Sequence, residues 1–102
     1  MPRPGQVIEK ATAADLPYEL DWTVWLADLD AAPLVTSAWS ITGPDGALTY
    51  DTASILGGNA ITRVWLHGGT IGAVYRVTNQ VTASGTPTPR DERSFIVHVK
   101  DR

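Results

Sequence analysis

The chain predicts an all-β fold: an immunoglobulin-like β-sandwich of about seven antiparallel strands. Apolar residues alternate with polar ones in several short runs, and none of the runs has a convincing helical period. Gly- and Pro-containing clusters punctuate these runs at the spacing of sandwich strands. Two aromatics also fall where such domains place them. Trp39 lies on the third strand, and Tyr75 follows a glycine-rich corner near the start of the sixth.

Residues 1–15 hold Pro2, Pro4, Gly5 and the run "ATAAD", which read as an extended arm with a short first strand at Gln6–Glu9; the sandwich then spans residues 16–102. "LPYELDWTVWL" alternates, with Leu16, Tyr18, Leu20, Trp22, Val24 and Leu26 in one phase, and reads as a half-buried strand. After the loop "DLDAAP", "VTSAWSIT" alternates again with Val35, Trp39 and Ile41 inward. "GPDG" at 43–46 suits a type I turn, since Pro44 sets φ at its second position. A weaker strand covers 48–52, and a further short one 54–56, before the turn Gly57-Gly58-Asn59. "AITRVWL" is the next strand and "HGGTIG" the next corner. The long strand that follows sends Tyr75, Val77, Asn79 and Val81 to one face. "SGTPTPRD" is a loop, and "RSFIVHV" closes the chain with Phe95, Val97 and Val99 inward. Trp22, Trp39, Tyr75, Val77, Val81, Phe95 and Val97 form the expected core, with the Tyr75 hydroxyl bonded to backbone upstream of it.

One domain of this length buries a single core without staples. The absence of cysteine removes disulfides and thiolate metal sites. "MPRPGQVIEK" lacks a signal-type apolar region and no segment has bilayer-spanning length, so no membrane partner is expected. The net charge of −3 argues against nucleic acid, which clustered Lys and Arg would bind. Between residues 11 and 62 there are seven acids and no base; from Arg63 onward six bases meet three acids. Either the strands interleave and mix these charges, or a dipolar surface favours contact between copies or with a charged partner.

No catalytic centre is expected. His67 and His98 are the only histidines, no G-x-S-x-G occurs, and Ser84 and Ser94 lie in ordinary loop and strand contexts. Asp28 and Asp30, with Asp21 nearby, lack the ordered ligand series of a calcium loop, so no metal or other cofactor is expected. Trp25 and Trp65 stand out. Trp25 falls in the polar phase of its run, and beside Trp65 either Val64 and Leu66 face inward or the reverse. Each tryptophan is either covered by the arm or a loop, or exposed as an anchor for a partner. With Pro2, Arg3 and Pro4 of the arm, Trp25 and Trp65 are the candidate interface residues.

Taken together, "YELDWTVWLADLD", "VTSAWSI", "TRVWLHGGTIGAVYRVTNQVT" and "RDERSFIVHV" resemble a family of small virion-associated proteins of tailed bacteriophages and prophages. The shared pattern falls on Tyr18, Asp21 and Trp22, on Ser37 and Trp39, on Val64 through Asn79, and on Glu92 through Phe95. The resemblance implies a non-enzymatic structural component of a virion, made in the host bacterial cytoplasm. Its partners would be the phage capsid or other virion proteins, self-association included. Decoration or cementing of the capsid, or another head-associated role, is the first reading; a tail or fibre accessory with a host-surface or carbohydrate-binding role is the alternative.

Overall fold

The computed structural model describes residues 5–100. Seven strands form two sheets: β1 (Val7–Ala11), β2 (Leu16–Asp21), β3 (Leu34–Thr42), β4 (Leu48–Leu56), β5 (Ile61–Gly68), β6 (Val74–Ala83) and β7 (Arg90–Lys100). One sheet runs β1-β7-β6-β3 and the other β2-β5-β4. The second, fifth and fourth strands facing the third, sixth and seventh is the immunoglobulin arrangement. All seven residues expected in the core are buried, together with Leu20, Val64, Leu66 and Val99. β6 alternates as its sequence demands: Tyr75, Val77, Asn79, Val81 and Ala83 inward, the intervening residues outward.

Four expectations need correction. The first strand is not antiparallel: β1 runs parallel to β7, with Val7 opposite Ile96 and Ala11 opposite Lys100. Residues 7–11 are therefore a strand of the domain rather than an arm lying on a neighbour. Backbone ladder bonds, the Gly5 amide on the Ser94 carbonyl and the inward Ile8 hold it, so large apolar anchors are unnecessary. Second, β2 ends at Asp21 and a one-turn helix, α1 (Thr23–Ala27), follows. The Asp21 carboxylate accepts the Thr23 amide at 2.9 Å, which turns the chain, and the Leu26 amide then reaches the Trp22 carbonyl. Trp22 and Leu26 are buried either way, but Val24 is 79% exposed rather than in phase with them. Third, Val35 is exposed, because a register shift between Leu34 and Thr36 gives the inward position to Leu34. Fourth, residues 48–56 are one strand with a shift between Asp51 and Ser54, where Thr52 adopts φ 50°.

The corner before β6 explains the glycines there. Gly68 has φ 75°, and a Cβ on it would lie 2.6 Å from the Ala47 carbonyl oxygen. Across the same corner, a Cβ on Gly43 would meet the Tyr75 ring at 2.4 Å. The Tyr75 hydroxyl accepts the Thr70 amide at 3.0 Å and donates to Asp45 at 2.6 Å. This tyrosine corner pins the β3–β4 loop to the β5–β6 loop. The Tyr75 bond leads the causes holding the Asp45 carboxyl below the usual carboxylate range, followed by bonds from Ala47 and Thr70.

Candidate interaction surfaces

Strand order decides where the charges lie. β2 and β4, from the acidic half of the chain, flank β5 from the basic half, so Arg63 meets Glu19 with Nε at 2.7 Å. Lys100 of β7 pairs with Glu9 of β1, which lies outside the acidic stretch. Arg63 is thus set among the acids of the β2-β5-β4 sheet, while the other later-half bases among the described residues lie on β6 and β7 of the opposite sheet.

The outer face of the β2-β5-β4 sheet carries a polar cluster drawn from several elements. His67, on β5, donates from Nδ1 to Asp15 and from Nε2 to Asp51 when protonated, both at 2.8 Å. It thus spans from the start of β2 to β4. The two carboxylates, Asp51 foremost, raise the His67 pKa above its ordinary value, and His67 in turn holds Asp51 down. Both ring nitrogens are taken by carboxylates, so neither is offered to a nucleophilic hydroxyl as a catalytic triad requires. Trp65 lies next along this face, opposite Pro17 on one side and Asp51 on the other. Val64 and Leu66 face inward, and Trp65 is outward and half-buried.

Trp25 sits elsewhere. Its ring meets Trp22 edge-on at 5.4 Å and packs against the core. Helical spacing, not strand alternation, sets its direction, so it is a packing residue covering the end of the sandwich. Arg93 of β7 lies 4.2 Å from the Trp22 ring centre and donates to the Asp21 carbonyl at 2.9 Å. Beneath that stack runs a buried network. The Asn79 side-chain oxygen accepts from Thr62 at 2.7 Å and from the Trp22 indole at 3.2 Å; its amide donates to Ser37 at 2.8 Å and to the Ala38 carbonyl. Three strands and the start of α1 are tied by one side chain.

Lys10 is a second buried polar group. It is fully covered, and Nζ donates to the Ala11 and Gly68 carbonyls at 2.8 and 2.7 Å. Burial lowers its pKa, partly offset by Asp15. It fastens the end of β1 to the end of β5. Inward phase on β1 was the only sequence signal available for it, and the strand's pairing partner had to be known first.

Two places on the sandwich present apolar groups. At one end, a recess of ≈ 230 Å³ between α1, the 28–33 loop and the 57–60 turn is lined by Leu26, Ala27, Ala32, Pro33 and Ala60 among others, with Val24 exposed nearby. On the outer face of the other sheet, exposed Val7 lies opposite Ile96, and exposed Val74 lies opposite the adjacent His98. Asp28 and Asp30 belong to the 28–33 loop and form no metal-holding group among the described residues. No helix among those residues is long and apolar enough to cross a membrane. Pro2, Arg3 and Pro4 lie outside the described residues.

These features define an immunoglobulin-like β-sandwich module. The chain belongs to the family described as podophage GP4 fiber-tail adaptor protein gp77, which matches residues 10–98. It is a structural component of a phage virion, assembled in the host cytoplasm. No individually curated protein matches the chain. The family favours the tail-and-fibre alternative over the capsid decoration expected first.

Proposed function

We propose that this protein is an adaptor at the junction between the phage tail and its fibres, holding the two by protein–protein contacts and without catalysis. The observation that carries the reading is the family match across nearly the whole domain. The geometry supports it in physical terms. An adaptor has to transmit load between two partners without changing shape. The tyrosine corner, the Asn79 network and the Lys10 and His67 ties lock loops to strands at both ends of a body 45 × 22 × 20 Å in extent. The α1 end offers a small apolar recess that would seat one large side chain. Buried apolar anchors of that kind dominate interface energetics, whereas rim charges contribute little.

The test is assembly in the absence of the chain. Particles made without it should package heads and complete tails yet lack fibres, and purified protein added back should restore fibre attachment. Fibres retained at normal number on such particles would overturn the reading.

A further inference from the structure

The sandwich has four edge strands, and three of them carry the features that discourage further pairing. β1 has five residues, with Glu9 ion-paired to Lys100 and Lys10 within it. β2 holds Pro17, Glu19 and Asp21. β4 is interrupted by the register shift after Asp51. β3 differs from all of them: nine residues, "LVTSAWSIT", with no charge and no proline, its one irregularity confined to the start. It bonds to β6 on one side only. Along the other side lies a groove of ≈ 420 Å³ between β3 and β4, lined by Val35, Thr36, Ser37, Ala53, Ser54 and Ile55. None of these carries a charge either. A long, uncharged edge beside an open groove is a template for another strand.

We infer that this edge pairs antiparallel with β3 of a second copy across a two-fold axis, joining two four-stranded sheets into one of eight. The occupant must be extended and uncharged, and it must present small hydroxyl-bearing side chains to match Thr36, Ser40 and Thr42 on the outer face. β3 itself meets each requirement, and antiparallel pairing of one strand with its own copy is what a two-fold axis generates. A register centred on Ala38 sets the smallest side chain against itself at the axis. It places Thr36 opposite Ser40 of the second copy, so outward residues meet outward ones, and brings Ile41 of that copy to Val35 on the groove side. Half-buried Ile41 then enters the groove beside Val35 and Ile55, and no like charges face each other. The pairing is independent of the fibre–tail reading, since it is a property of the purified chain alone.

Mass measurement across a dilution series should give a species of twice the 11.0 kDa chain that dissociates on dilution. Ala38→Lys, at an exposed outward position, should fold with an unchanged spectrum and melting point but remain a monomer. Because the chain has no cysteine, Ala38→Cys offers a direct readout of register. Opposed residues in an antiparallel pair lie about 4.5–5.5 Å apart between Cα atoms, within the span of a disulfide. Mild oxidation should therefore cross-link Ala38→Cys into dimers and leave Thr49→Cys, on the other sheet, as monomer. A wild-type chain that stays monomeric at every concentration overturns the inference. So does a dimer that survives Ala38→Lys, or equal cross-linking of the two cysteine variants.

Discussion

Asn79→Ala tests the joint between the two sheets. Asn79 is fully buried, and its oxygen is the acceptor for Thr62 and one of two acceptors for the Trp22 indole. Truncation leaves the Thr62 hydroxyl without its acceptor and the indole with a single weak one, while Ser37 loses its donor. Each buried polar group orphaned in this way costs about 1–3 kcal/mol, so two of them plus the lost packing cost about 3–5 kcal/mol. Against a domain total of about 5–15 kcal/mol, that is a large share. Urea unfolding followed by tryptophan fluorescence should show the midpoint falling while the slope is retained. Thr62→Val removes the stranded hydroxyl altogether, so it should cost less in the Asn79→Ala background than in the wild type. A coupling of about 1 kcal/mol or more between the sites is expected for partners in one network. A loss below about 1 kcal/mol for Asn79→Ala, or strict additivity of the two changes, would refute the network as a source of stability.

Other changes probe the remaining ties. Tyr75→Phe keeps the ring and deletes the hydroxyl that holds Thr70 and Asp45, and should cost about 1 kcal/mol by thermal melting. Trp25→Ala should destabilise the domain by about 2–4 kcal/mol, because the ring packs on Trp22 and the core; a neutral result would return it to the surface. The His67 tie is pH-dependent. Its raised pKa means its contribution is complete below the ordinary histidine value and is lost as pH rises through the folded value; that of Asp51, lowered, is lost as pH falls through the folded carboxylate value. The difference in melting temperature between wild type and His67→Gln should thus be largest near about pH 5–6 and shrink towards about pH 9. A difference that grows with pH would contradict the assignment.

Strand alternation made the core legible. Val77, Val81, Phe95 and Val97 lie inward in sequence and in space, and Tyr75 forms the corner that its position after the glycines implies. Alternation misled at Trp22-Thr23-Val24-Trp25-Leu26. Positions 22 and 26 satisfy strand phase and one helical turn equally, and the Asp21–Thr23 turn decided between them. The partners of Asn79 lie 17, 41, 42 and 57 residues away, so its inward phase was visible and its network was not. His67 reads as one of two isolated histidines until β5 is placed between the start of β2 and β4. Parallel pairing of β1 was hidden for a related reason. A five-residue strand held by backbone bonds has little side-chain pattern of its own. The charge asymmetry along the chain is only partly mixed by the fold, because β5 alone brings a later-half base, Arg63, between acidic strands.

The position of this chain in an intact particle tests the central claim most directly. Cryo-electron microscopy of whole virions should show the elongated two-sheet body at the point where fibres join the tail, in contact with both. Density for the domain across the capsid lattice, with none at the tail–fibre junction, would contradict it.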